Sequence, residues 1–214
     1  MKNRILFRIS ITVNVIFIIL LMVVLSRYSE VLYQKRIQWN QSARIVMFGD
    51  SHTAGGKWNS LLDTGPVLRM GWGGFSSDQL KNMIPRCIDY NPEFVFILCG
   101  GNDIVGGKCY SIGRIIDNYR FMADTLRSHG ITPVFQKLLY LHNGKEYNSV
   151  VDSINTMLTD FCIREKLDLI DAGRLMNDNT GLRADLTIDD CHLNQNGYKL
   201  WSDAVNRFLK EKQP

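Results

Sequence analysis

The chain has 214 residues, 45% of them apolar, with 25 Lys and Arg against 21 Asp and Glu for a formal charge of +4. That length supports one well-cored domain plus a short extra segment. The mild positive charge is dispersed, with no basic stripe interleaved with aromatics, so nucleic acid is not an expected partner, and no repeat or low-complexity tract is seen.

The N-terminus stands apart. Lys2, Arg4 and Arg8 precede Ile9–Leu25, a mostly apolar run interrupted by Ser10, Thr12 and Asn14. As a helix, about 17 residues span roughly 25 Å, slightly short of the ~30 Å hydrocarbon layer. The run is nevertheless long for a signal-peptide core of about 7–15 residues. Residues 1–28 are read as a membrane anchor, with secretion after cleavage as the alternative because Val24 and Ser26 suit a cut. Arg27, Lys35 and Arg36 follow the segment, so the charge bias is weak. The short N-terminal tail favours a cytoplasmic start and an extracytoplasmic domain. Residues 29–43 read as a polar, semi-extended tether, and 44–214 as the domain.

From Arg44 onward, apolar runs alternate with segments of helical period. Arg44–Phe48 reads as a buried strand and Val67–Met70 as a second. Ser76–Tyr90 follows as a helix with Leu80, Met83, Ile84, Cys87 and Ile88 on one face. Ser76 and Gln79 form a capping-box pattern, while Pro85 bends or splits the segment. Phe94–Leu98 is the third strand. Ile112, Ile115, Ile116, Tyr119, Met122, Ala123 and Leu126 mark a helix ended by Gly130. Thr132–Gln136 is the fourth strand, Val150–Phe161 a further helix and Leu167–Ile170 the fifth strand. Leu200, Trp201, Ala204, Val205 and Phe208 mark the last helix. The expected fold is a three-layer α/β/α sandwich on a five-stranded parallel sheet.

In such a sheet the loops after the strands share one edge, where ligands bind. Gly49-Asp50-Ser51-His52 follows the first strand, Gly71-Trp72-Gly73-Gly74 the second and Gly100-Gly101-Asn102-Asp103 the third. Asp189-Asp190-Cys191-His192 lies between the fifth strand and the last helix. These loops bring together a hydroxyl, an imidazole and a carboxylate. His192 suits a general base for Ser51, and Asp189 can hold its ring. Backbone N–H groups of Ser51 and Gly74 and the amide of Asn102 are candidate donors to an oxyanion.

The four blocks resemble those of the SGNH hydrolases, also called the GDSL family, and the resemblance runs from about Arg44 to Phe208. It implies the flavodoxin-like SGNH fold and a serine esterase in which Ser51 is nucleophile, Asp189 and His192 are its triad partners, and Gly74 and Asn102 are oxyanion donors. The first block ends in His52 where the family has Leu. The second-block glycine is Gly71, Gly73 or Gly74, and Gly74 is taken for its position two residues before Ser76. His192–Tyr198 is similar to the family's entry into its final helix. No metal and no organic cofactor is implied. The expected substrate is a small-molecule or glycan ester, with acetyl esters of surface glycans preferred. A lysophospholipid, or transfer of the acyl group to a sugar, is the alternative.

Other chemistry-bearing residues have plainer readings. Asp50 and Asp103 are expected to bond nearby turn amides, His52 to line a pocket wall or the surface, and Cys87, Cys99 and Cys162 to sit in the core. Trp58, Trp72, Lys108 and Tyr110 flank the loops, Trp72 and Tyr110 being candidate substrate contacts. A Cys109–Cys191 disulfide is conceivable but not fixed by the sequence. Asp190 competes with Asp189, and the three-residue offset to His192 favours Asp189. Gly55-Gly56-Lys57 lacks the first glycine and the Ser/Thr of a phosphate loop, and Thr53 breaks the G-x-S-x-G pattern.

Overall fold

A computed structural model describes residues 2–105 and 111–212, with residues 2–10 described by their backbone alone. Five parallel strands form the central sheet: β1 (Ile45–Gly49), β2 (Val67–Gly71), β3 (Phe94–Leu98), β4 (Thr132–Gln136) and β5 (Asp168–Ile170), in the order β2-β1-β3-β4-β5. The reversal of direction at β1 and β3 makes this a doubly wound sheet with its switch point there. β1 and β3 are buried along their whole length, as expected of strands covered on both faces. Register places Gly49 beside Gly71 on one side and Leu98 on the other, so the chain leaves β1, β2 and β3 at the same height.

Three long helices cover the sheet: α6 (Ile112–Arg127), α7 (Lys145–Glu165) and α8 (Gln195–Glu211). Alternation along the strands decides which faces what. Phe94 and Phe96 meet Phe208 of α8 edge-on, whereas Phe135 packs against Tyr119 of α6 and Phe161 of α7. Shorter helices α2 (Ser51–Gly55), α3 (Trp58–Leu61), α4 (Ser77–Lys81) and α5 (Gly101–Ile104) lie in the loops. Trp58 of α3 packs edge-on against Trp201 of α8, whose indole N–H donates to the buried Gln136 at 2.6 Å.

The helix expected over Ser76–Tyr90 is divided. Its capping box is present, with the Ser76 amide donating to Gln79 at 3.0 Å. The α-helix then stops at Lys81, and Ile84–Tyr90 continues as a 3₁₀ helix with Pro85 in its first turn. Proline has no N–H for an interior helical bond but is accepted where that donor would be unpaired.

The N-terminal segment departs from expectation more sharply. α1 runs unbroken from Lys2 to Asn40, 39 residues or roughly 58 Å, so residues 29–40 are helical and not an extended tether. Its apolar portion projects away from the domain, with Ile11–Leu25 side chains largely exposed, and is long and apolar enough to cross a membrane. The last turns instead pack on β2. Gln34 donates to Val67 O at 3.0 Å and accepts from Arg69 N at 2.8 Å, while the Tyr33 hydroxyl accepts from Val67 N at 3.2 Å. Ile37 is buried beside them. One helical face therefore occupies the edge of the sheet, where exposed N–H and C=O groups otherwise invite foreign strands.

Gln34→Leu keeps the shape but leaves two strand groups unpaired. A loss of about 1–3 kcal/mol is expected in chemical denaturation of the detergent-solubilised chain. A chain begun at Arg44 should self-associate in sedimentation where one begun at Ser26 does not.

Candidate active site

The site starts with a tight exit from β1. A side chain at Gly49 would place Cβ 2.1 Å from the Leu98 carbonyl oxygen, so glycine is required there. Asp50 then caps α2, accepting the His52 amide at 3.0 Å, and Ser51 becomes the first residue of that short helix. Burial pushes the Asp50 carboxyl up to about 6, against the opposing effect of the His52 N–H. The expected turn-amide role of Asp50 is what the structure contains.

His192 reaches this hydroxyl from the far end of the chain. Its Nε2 lies 3.0 Å from Ser51 Oγ, and its Nδ1 lies 2.8 Å from Asp189 Oδ2. The other carboxylate oxygen accepts the backbone amides of His192 at 2.6 Å and Cys191 at 3.2 Å. These donors, the His192 amide first and its ring next, hold the Asp189 carboxyl down at about 2. Asp189 thus stays anionic and fixes the tautomer with Nδ1–H toward itself, leaving Nε2 as acceptor for the serine proton. Asp190 does not compete. It adopts φ of 65°, and its carbonyl accepts the His142 amide at 2.8 Å.

His52 forms a wall beside the His192 ring. The two imidazole centroids are 5.5 Å apart, and His52 Nε2 is 4.0 Å from Cys191 Sγ. Burial, and then the neighbouring His192, pull its pKa down to about 4. It is therefore neutral wherever the site would operate near neutral pH. Tyr198 secures its backbone, donating to the His52 carbonyl at 2.7 Å.

On the opposite side lies the glycine turn. Trp72 N donates to Gly49 O at 2.9 Å, and a Cβ on Gly73 would come within 3.9 Å of the Ser51 Cβ. Gly74 has φ of 75° with open space where a side chain would stand. That backbone conformation favours glycine. The Asn102 amide donates to Phe75 O at 3.1 Å, which ties it to the same turn and leaves its second hydrogen for another acceptor. Trp72 packs edge-on against Phe48 and stacks with Phe75, so much of its surface serves packing. Tyr110, Lys108 and Cys109 lie outside the described residues, and with them the Tyr110 contact and the Cys109–Cys191 pairing. Cys87, Cys99 and Cys162 are buried.

The sequence reading missed a polar network beneath these loops. Asp103 accepts from Ser77 N at 2.7 Å and Ser77 Oγ at 2.6 Å, and Asn118 of α6 donates to the same hydroxyl at 2.8 Å. Asp103 therefore does more than satisfy a nearby amide: it joins the Asn102 loop to the start of α4, immediately after the glycine turn. Its carboxyl is shifted upward, chiefly by burial. Only the polar positions on the buried face of α6, Asn118 above all, hinted at this in the sequence. Asp103→Ala leaves the Ser77 donors without an acceptor. The expected cost is about 1–3 kcal/mol in thermal unfolding, together with lower turnover of 4-nitrophenyl acetate.

Known proteins share this fold. The model of the GDSL-like Lipase/Acylhydrolase family matches residues 47–200. A GDSL-like lipase from Bacteroides thetaiotaomicron superposes with a TM-score of 0.73 at 18% identity, over 88% of this chain and 98% of that one. An acetyl xylan esterase gives 0.69 at 18% identity, over 77% and 98%. Among curated sequences, the N-acylneuraminate cytidylyltransferase of Streptococcus agalactiae serotype III is 25% identical over 174 residues, 81% of this chain. The chain spans 40% of that relative's length. With its fold and the full span of its motifs matched, the chain belongs to the GDSL-like lipase/acylhydrolase family, hydrolases that act on esters.

Proposed function

We propose that the protein is a membrane-anchored, extracytoplasmic serine esterase that removes short acyl groups, acetyl in particular, from a glycan. The observation that carries the catalytic reading is the unbroken hydrogen-bond chain Ser51–His192–Asp189. Ser51 Oγ attacks the ester carbonyl as His192 Nε2 takes its proton. The Ser51 and Gly74 amides and the Asn102 side chain receive the oxyanion. As the tetrahedral intermediate collapses, the C–O bond to the alcohol breaks and His192 returns the proton to the departing oxygen. Water, deprotonated by the same imidazole, then releases the acid from Ser51.

The short-chain glycan preference draws support from the acetyl xylan esterase on the same fold and from a curated relative named for an acylated sugar. Anchoring rests on α1, whose apolar portion is long enough to cross a membrane and stands exposed outside the domain. A lysophospholipid esterase is the second reading, favoured by the same helix because it keeps the site near lipid. Transfer of the acyl group to a sugar hydroxyl differs only in what meets the acyl-enzyme.

Acyl-chain profiling of the detergent-solubilised chain, from acetyl to palmitoyl, tests the proposal. Rates should fall steeply beyond short chains, and an optimum at long chains would replace the glycan reading with the lysophospholipid one. Ser51→Ala and Asp189→Asn should each lower kcat by about 10³-fold or more, and Asn102→Ala by about 10²–10³-fold. Asp189, held anionic down to about pH 2, should add no limb of its own to a kcat/KM profile against pH near neutrality.

A further inference from the structure

The direction in which the alcohol leaves is set by the proton it needs. Once the acyl group is bonded to Ser51 Oγ, the departing alkoxide takes its proton from His192 Nε2, so the alcohol half of the ester must lie against the His192 loop. The oxyanion side, Gly74 and Asn102, is occupied by the acyl carbonyl. Beside that loop is a cavity of about 680 Å³ between the Ile188–Leu193 segment, the start of α8 and the α2–α3 connection. Its lining includes Leu193 and Ile188, next in sequence to His192 and Asp189, together with Gly55 and Lys57.

The lining has a definite chemical character. It contains Lys57 and Lys199, the exposed amides of Gln195 and Asn196, and the ring of Tyr198, with no carboxylate among its members. Among the described residues no ion pair engages Lys57. Lys199 makes only an exposed contact with Asp203 at 3.2 Å, its side chain 70% accessible, a pair of the kind that contributes little and yields readily to another anion. Ile188, 71% exposed at the rim, adds an apolar surface. Amide groups and an aromatic face suit sugar hydroxyls and ring C–H groups, and two ammonium groups in a lining without carboxylates suit a carboxylate.

We propose that this cavity is the subsite for the alcohol half of the substrate, and that it takes a carboxylate-bearing sugar next to the esterified unit. The inference rests on the esterase reading for its orientation and deepens it by naming an anionic glycan as the substrate class. Lys57 and Lys199 are specificity-determining residues in this scheme and take no part in bond making.

Binding and turnover separate the two ideas. The Ser51→Ala protein in detergent micelles is titrated calorimetrically with trigalacturonate and with xylotriose. Trigalacturonate should bind more tightly, and the preference should vanish at about 0.5 M salt. The Lys57→Gln/Lys199→Gln double variant should weaken trigalacturonate binding by about tenfold, and Lys57→Glu/Lys199→Glu should reverse the preference. With Ser51 intact, the double glutamine variant should lower kcat/KM for O-acetylated oligogalacturonides relative to O-acetylated xylo-oligosaccharides, mainly through KM. Equal binding of both trisaccharides, or affinities unmoved by the lysine changes, overturns the subsite even if Ser51 cleaves 4-nitrophenyl acetate. Lysine-dependent binding by a protein that cleaves no ester supports the subsite and sinks the esterase reading.

Discussion

The 3.0 Å contact between Ser51 Oγ and His192 Nε2 joins residues 141 positions apart, and most of the architecture serves to make it possible. A serine hydroxyl alone is too weakly acidic to act as a nucleophile near neutral pH. It needs an acceptor at hydrogen-bond distance whose other nitrogen is already committed. Asp189 supplies that commitment, and two backbone amides from its own turn hold the carboxylate in place. One hydroxyl, one ring and one carboxylate thus share a single geometry, imposed from opposite ends of the chain.

What holds that geometry is the height at which the strands end. Parallel register aligns Gly49, Gly71 and Leu98, so the loops after β1, β2 and β3 begin from a common level. The loops are then fastened by buried polar groups. Asp50 caps α2 beneath Ser51, and Asp103 reaches across to Ser77 beneath the glycine turn. Both carboxyls are shifted upward by burial, and each is offset by amide or hydroxyl donors. Such satisfied networks rigidify a site because losing any one partner strands the others in a poorly solvated place.

The membrane-type helix enters the same scheme. Gln34 and Tyr33 occupy the hydrogen-bonding edge of β2, the strand that leads into Gly74. A segment that reads as a spacer is therefore part of the domain's framework, and it joins the apolar portion of α1 to the edge of the sheet. The short turn at Gln41, with φ of 45°, is what returns the chain to β1.

Much of this was legible in the residues alone. The apolar runs at Arg44–Phe48, Phe94–Leu98 and Thr132–Gln136 announce buried strands because parallel strands covered on both faces need no polar alternation. Ser51, Asp189 and His192, which the fold brings into one hydrogen-bonded chain, stand out in the sequence because each lies in a short motif. Other features depend on long-range packing and leave almost no local trace. Nothing near Gln34 says that a strand edge will meet it, and helical periodicity is weak where the buried face is polar. Nothing near Asp103 points to Ser77, and nothing near His52 says that burial will keep its ring neutral beside His192. Local composition and period determined the elements and the candidate groups of the site. Only the folded chain decided which unpaired N–H, C=O and carboxylate groups would meet, because the cost of burying them unpaired is settled between segments distant in sequence.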